Sequence, residues 1–256
     1  MVPLSRLSAD ACRGLRVVFS DVDDTITAGG RIPWRVLELA ERLAEAGVAF
    51  GLVTGRPAGF GDALTNYFGG IACAITENGG VLSVNGASEL LFDELRAPDH
   101  AAVLARAVEA VRARFPDLRP DPNNYMRKSD FAFRFDAGDA GRVRAVEALV
   151  APLGVSVVAS SIQAHLYRGA QTKGTAIAKV IAERFPGASP EQVLTMGDSP
   201  NDAAMFDPAR FPLSVGVANV RRFAAEMAHA PRYVADAEGA AGAIEVLTRV
   251  LAAREG

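Results

Sequence analysis

The chain has 256 residues, half of them apolar by count, and a formal net charge of −3. That is ample apolar material for one or two domains with a real core, and it excludes a disordered chain. There is no basic surplus to attract nucleic acid or an anionic membrane, no apolar run of the ~18 residues a span needs, and no metal-pair spacing between Cys12 and Cys73, so a soluble cytoplasmic protein is expected.

From residue 16 to about 78, apolar runs alternate with helical patterns: RVVFSD, PWRVLELAERLAEAG, VAFGLVTG, PAGFGDALTNYFG and IACAITENG. This alternation predicts a βαβαβ unit and therefore a parallel sheet. In its first helix Trp34, Leu37, Ala40, Leu43 and Ala44 recur at helical spacing, so Trp34 is read as packing. From about Leu82 to Ala170 the pattern becomes α+β. It runs through a hairpin-like GGVLSVNGASELLF turning at Asn85-Gly86, the helix DHAAVLARAVEAVRARF, a Pro-rich loop, the strand DFAFRFD, a helix around AGRVRAVEALV, and the strands VSVVAS and QAHLYR. Beyond Thr172 the alternation of strands and helices resumes, with a helix expected over ANVRRFAAEMA. The expected fold class is α/β: a Rossmann-like parallel-sheet core formed by residues 1–81 and 172–256, interrupted by an α+β insert over 82–171.

Candidate chemistry gathers behind the strands. Asp21 and Asp23 are two apart, so in extended chain both face one spot at the strand's C-terminal end, where open parallel sheets bind ligands. Paired carboxylates there suit a hard cation such as Mg²⁺, although a solvated acidic turn has the same composition. A calcium loop is excluded, because Ile26 and Ile32 occupy the positions of its glycine and closing glutamate. After the second strand, VTGR offers the Thr54 hydroxyl and the Gly55 backbone N–H to phosphoryl oxygens near a helix start, or else an ordinary capped turn. Lys173 opens a helix, where the dipole disfavours a cation unless an anion or solvent is near. In GDSPND, Ser199 and Asp202 fit a capping box, whereas Asp198 extends the carboxylate cluster and Gly197 permits close approach of a ligand.

Taken in order and separation, DVDDT, VTGR, Lys173-Gly174 and GDSPND resemble the four motifs of the haloacid dehalogenase-like (HAD) hydrolase superfamily. The insert between the second and third motifs is similar to its C2 type of cap. ITENGG resembles the Cof-like branch, which includes sucrose-, mannosyl-3-phosphoglycerate-, trehalose- and phosphoglycolate-phosphatases. The resemblance implies that Asp21 is the nucleophile and Asp23 the acid and base. It implies Mg²⁺ held by Asp21, the Asp23 carbonyl and Asp198, with Asp202 helping directly or through water. Thr54, Gly55 and Lys173 would hold the phosphoryl oxygens and Asn201 would orient the network, with Arg56 and Asn78 counted among the substrate-binding residues. At Asp24 the chain departs from the family's usual glycine. An acid at Asp23 argues against C–halogen cleavage.

Substrate choice is expected from the insert. Alternation in DFAFRFD sets Phe131, Phe133 and Phe135 on one face and Ala132, Arg134 and Asp136 on the other, so that Arg134 faces the substrate. By the same rule Gln163, His165 and Tyr167 share a face of QAHLYR, making His165 a second substrate-binding candidate. Arg127 and Lys128 are read as a solvated loop pair or as contacts to a second anionic group. The expected function is Mg²⁺-dependent hydrolysis of a small phosphomonoester, a sugar phosphate or similar metabolite, through an aspartyl-phosphate. Phosphotransfer on the same core and noncatalytic binding of a phosphometabolite are the rivals.

Overall fold

The computed structural model describes residues 1–135, 140–159 and 163–255; Asp136 and Ser160, assigned above to strands, lie outside the described residues. In chain order the strands are β1 (Val2–Pro3), β2 (Val17–Asp21), β3 (Ala49–Val53), β4 (Ile71–Thr76), β5 (Val81–Val84), β6 (Ala87–Leu90), β7 (Asp130–Arg134), β8 (Val155–Ala159), β9 (Gln163–Arg168), β10 (Val193–Gly197), β11 (Leu213–Gly216) and β12 (Tyr233–Val234). The helices are α1 (Ala9–Gly14), α2 (Trp34–Glu45), α3 (Ala58–Tyr67), α4 (Asp93–Arg96), α5 (His100–Arg114), α6 (Ala140–Val150), α7 (Lys173–Arg184) and α8 (Gly239–Glu255). None of the described helices is long and apolar enough to cross a membrane.

A nine-stranded sheet runs in the order β1-β12-β11-β10-β2-β3-β4-β5-β6, parallel from β1 to β4. Its inner strands are buried on both faces, which is why β2 reads as an unbroken apolar run: Val18 points into the core under α2 and α8, while Val17 and Phe19 point to the core under α7. The expected βαβαβ unit is present as β2-α2-β3-α3-β4. The buried stripe of α2 is Val36, Leu39, Ala40 and Leu43, and Trp34 is 72% exposed, so the packing role read for Trp34 is corrected.

The hairpin read as the start of the insert instead extends the large sheet. A reversal at Glu77–Gly80 turns the chain so that β5 pairs antiparallel with β4, Ile75 opposite Leu82, and Leu82 and Leu91 pack in the core beneath α7. The boundary expected at 82 therefore falls inside a sheet. Of the helix expected over ANVRRFAAEMA, a six-residue 3-10 segment forms at Ala218–Phe223, where the Asn219 side chain bonds Asp198 and the Gly239 N–H.

The second layer system is a three-stranded antiparallel sheet, β7-β9-β8, backed by α5 and α6. Phe133, Phe135, Ala164 and Leu166 pack with Val108, Val111, Val146 and Val150 between sheet and helices, and Phe131 packs partly against them. Strand alternation then turns His165 to the opposite face, toward the C-terminal edge of the large sheet.

Candidate active site

Three parallel strands end side by side in the order β10-β2-β3 and deliver Asp198, Asp21 and Thr54 to one edge of the sheet. Above that edge lies a cleft of about 810 Å³, bordered below by Asp21, Asp23, Thr54, Gly55, Arg56, Asp198 and Asn201 and above by Val158, Ala159 and His165.

The cleft floor is electrostatically unusual. Lys173, the first residue of α7, is buried, and its Nζ lies 2.6 Å from both Asp21 Oδ1 and Asp202 Oδ1. Of the two alternatives left open for Lys173, a nearby anion and solvent, the anion is the one found. Local sequence fixes its position. Thr172 caps the helix through the Thr175 N–H, and Gly174 lets the first turn touch the 200–205 segment, since a β-carbon there would sit 2.2 Å from the Ala204 carbonyl oxygen. The other Asp202 oxygen accepts the backbone N–H of Asp198 at 2.9 Å and of Ser199 at 3.2 Å, the reciprocal half of the expected capping box. Gly197 serves this packing: a β-carbon would lie 2.6 Å from Asp202 Oδ2, so the close approach is made by a carboxylate of the chain itself.

Asp21, Asp198 and Asp202 are all buried, with ligand oxygens within 4.8 Å of one another. Burial and the neighbouring carboxylates push Asp21 well above the ordinary carboxylate range despite Lys173, and push Asp198 up to about 7. Lys173, penalised by burial, is nonetheless raised by the two carboxylates it touches and keeps its proton. Three carboxylates thus share a single ammonium. With all three carboxylates ionised the cluster would lack two positive charges, which is what a divalent cation supplies, and an all-oxygen donor set suits a hard one.

Asp198 is held by two residues that the motif reading missed: Thr25 Oγ1 donates to Oδ1 at 3.1 Å and Asn219 Nδ2 to Oδ2 at 2.8 Å. Asn219 also donates to the Asp24 carbonyl and accepts the Gly239 N–H. Its sequence signal was its place directly behind the apolar strand LSVGV at the same sheet edge. Asp24 itself has φ +58°, which explains the family's preference for glycine; aspartate is among the few residues that tolerate this region. Its N–H is taken by Thr27 Oγ1.

Asp23 is gripped by Arg56 through two parallel bonds, Nε to Oδ2 at 2.9 Å and Nη2 to Oδ1 at 2.5 Å. The guanidinium fork expected to meet substrate is therefore occupied by the neighbouring acid. Thr54 Oγ1 accepts the Arg56 N–H at 3.1 Å, which keeps the VTGR turn tight. Asn201 borders the cleft and accepts the Ser199 hydroxyl through Oδ1. Arg134 is not among the cleft residues; its side chain is 59% exposed, with Nε 3.7 Å from Asp121, because β7 ends there on the outer rim of the small sheet.

Arg127, read with Lys128 either as a solvated loop pair or as a contact to a second anionic group, is buried against Asp130 and donates to the Gly55 carbonyl. Lys128 reaches the Ser88 hydroxyl at 2.6 Å. Glu77 anchors this crossing. Its buried carboxylate accepts the backbone N–H groups of Ala58, Lys128, Ser129 and Asp130 together with the Ser129 hydroxyl, joining the start of α3 to the small sheet's entry strand. Burial and the nearby Asp130 raise its pKa against these bonds.

Comparison with known proteins agrees with this geometry. The family model for sucrose-6F-phosphate phosphohydrolase matches residues 93–249. A phosphoglycolate phosphatase of Halorubrum lacusprofundi is 31% identical over 229 residues, spanning 88% of this chain and 93% of the relative. Two solved structures share the fold. Thermoplasma acidophilum 0175 has a TM-score of 0.73 at 20% identity, covering 92% of this chain and 98% of its own. The sucrose-phosphatase of Synechocystis sp. PCC6803, solved with sucrose and phosphate, has a TM-score of 0.68 at 19% identity, covering 93% and 98%. Fold, acid cluster and relatives together define a phosphoric monoester hydrolase. The chain belongs to the haloacid dehalogenase-like hydrolase superfamily.

Proposed function

We propose that the protein is a Mg²⁺-dependent phosphatase that hydrolyses a small phosphomonoester through an aspartyl-phosphate on Asp21. The observation that carries this reading is the buried floor on which three carboxylates share one ammonium beside an open cleft. Asp21 and Asp198, with the Asp23 carbonyl and assistance from Asp202, would hold Mg²⁺; when bound, the ion balances the cluster and draws charge from the transferred phosphoryl group.

An Asp21 carboxylate oxygen attacks phosphorus, the P–O bond to the leaving alcohol breaks, and Asp23 gives that alcohol its proton. Asp23 then takes a proton from water, whose oxygen attacks phosphorus and releases Asp21 and inorganic phosphate. Thr54, the Gly55 N–H and Lys173 hold the phosphoryl oxygens, and such positioning supplies most of the rate in phosphoryl transfer. Arg56 holds the Asp23 carboxylate by two bonds, and that grip must loosen for Asp23 to carry the proton it gives to the leaving alcohol. The named relatives support leaving groups as different as glycolate and a disaccharide.

Hydrolysis of an aryl phosphate with Mg²⁺, compared between wild type and Asp21→Asn, tests the assignment. The variant is expected to lose on the order of 10³-fold or more in kcat. Equal rates would remove Asp21 as nucleophile, and inactivity of wild type across a phosphate panel would favour a binding protein.

A further inference from the structure

The three floor carboxylates are not held alike. Asp21 and Asp202 each face the Lys173 ammonium, whereas the Asp198 carboxylate is gripped by two neutral donors, Thr25 Oγ1 at Oδ1 and Asn219 Nδ2 at Oδ2. Neutral donors fix the direction of a carboxylate without cancelling its charge, which is what a cation ligand needs. Both donor residues are buried.

The Asn219 amide is bonded on every side. Nδ2 donates to Asp198 Oδ2 at 2.8 Å and to the Asp24 carbonyl at 3.1 Å, while Oδ1 accepts the Gly239 N–H at 3.1 Å. Turned over, the amide would set its oxygen against two acceptors and its NH₂ against a donor, so the three partners admit one orientation. Local structure brings the side chain there. Val217 N–H bonds the Gly197 carbonyl at the root of Asp198, and Gly216 lets the 3-10 segment fold back, since a β-carbon there would lie 2.5 Å from Val220 Cγ1. Gly239 has φ +53°, and a β-carbon there would come within 2.9 Å of the Thr27 carbonyl oxygen, so the start of α8 touches the loop that follows Asp23.

The bonds close a ring. Asp24 and Thr25 are adjacent in the chain; the carbonyl of the first reaches Asn219, Asn219 reaches one Asp198 oxygen, and the other Asp198 oxygen returns to the Thr25 hydroxyl. The loop lies one peptide beyond the Asp23 carbonyl, and Asp198 ends a strand more than 170 residues later, so no covalent constraint keeps the two at a fixed spacing. The ring supplies that constraint.

Resting on the Mg²⁺-dependent reading, we propose that Asn219, which lies outside the four motif stretches, is a positioning residue for the cation: its amide ties Asp198 to the Asp24 carbonyl and, with Thr25, sets the separation of the two segments that carry the oxygen ligands.

Mn²⁺ titrated into the metal-free, substrate-free protein and followed by loss of the free ion's EPR signal reads the site without turnover. Asn219→Ala is expected to weaken Kd by about 10–100-fold, the usual effect of removing a partner of a ligating carboxylate. With the ion in excess, the same variant is expected to regain kcat for an aryl phosphate to within about threefold of wild type, because occupancy is what it lost. Thr25→Val, which keeps the volume and drops the hydroxyl, is expected to weaken Kd as well, and Thr25→Ser to restore it. A folded Asn219→Ala with the wild-type Kd, or one whose kcat stays low at saturating ion, would overturn the proposal. If Asn219→Ala does not fold, the Thr25 variants decide, and a wild-type Kd in Thr25→Val overturns it. If wild type binds Mn²⁺ but hydrolyses no ester, the hydrolase reading falls while the comparison of Kd values still decides; if wild type binds no ion yet hydrolyses the ester, the proposal falls and the hydrolase reading stands.

Discussion

The floor and the roof of the cleft each bury an ion pair, and they are balanced in opposite ways. On the floor Lys173 faces Asp21 and Asp202, with Asp198 alongside, so negative charge is left over. At the roof Arg127 and Asp130 cancel one for one, and His165 is bonded to the same carboxylate. Residual charge suits a cation and a phosphoryl group, where catalysis is electrostatic; a neutralised, buried pair instead fixes the side chains that face the floor. Glu77 is the joint between the two, bonded to the start of α3 below and to Lys128, Ser129 and Asp130 above.

Removing the Lys173 ammonium from the floor is the severest way to break this contrast. Lys173→Met leaves buried carboxylates without compensation and is expected to cost about 3–5 kcal/mol in chemical denaturation. Asp21 and Asp198, whose pKa values lie above their unfolded values, favour the fold when protonated and oppose it as pH rises through their folded pKa. The deficit of the variant should therefore be larger in weak base than in weak acid; a deficit independent of pH would contradict the charge account. Loosening the joint comes next. Glu77→Ala strands several buried N–H groups and is expected to cost about 2–3 kcal/mol, with a rise in KM for a hydroxylated ester that exceeds the rise for an aryl phosphate. Equal changes for both esters would mean that Glu77 stabilises the chain without aligning roof to floor. The smallest effect is expected at the rim. Asp24→Gly relieves a left-handed aspartate but frees the unfolded chain, so stability should stay within about 0.5 kcal/mol of wild type. A loss larger than that would give the Asp24 carboxylate a structural role.

The floor was legible in the sequence because its residues directly follow apolar strands or open a helix, and parallel topology alone carries Asp21, Thr54 and Asp198 to one edge. Lys173 was legible as a position but not as a buried group, since its burial depends on Gly174 and Ala204 meeting across the fold. The roof was less so. Strand alternation correctly turned His165 away from the cap's own core, yet Arg127 meets the Gly55 carbonyl only through the tertiary fold, and Asp130 meets His165 only through the pairing of β7 with β9, where Asp130 sits opposite Tyr167 and diagonal to His165. Arg134 obeyed the same alternation and ended on the rim, because period two selects a face and not a distance along it. The hairpin was misplaced for a related reason: nothing local to residues 81–90 states that its partner is β4.

The central claim is that the surplus charge of the floor prepares Asp21 to accept a phosphoryl group. Acid-quenching the wild-type protein during turnover of an aryl phosphate with Mg²⁺, followed by peptide mass spectrometry, reads that step directly. The account predicts a phosphoryl adduct on the peptide carrying Asp21, absent in Asp21→Asn and absent after chelation of the metal. An adduct on any other residue, or one that persists in Asp21→Asn, would contradict it.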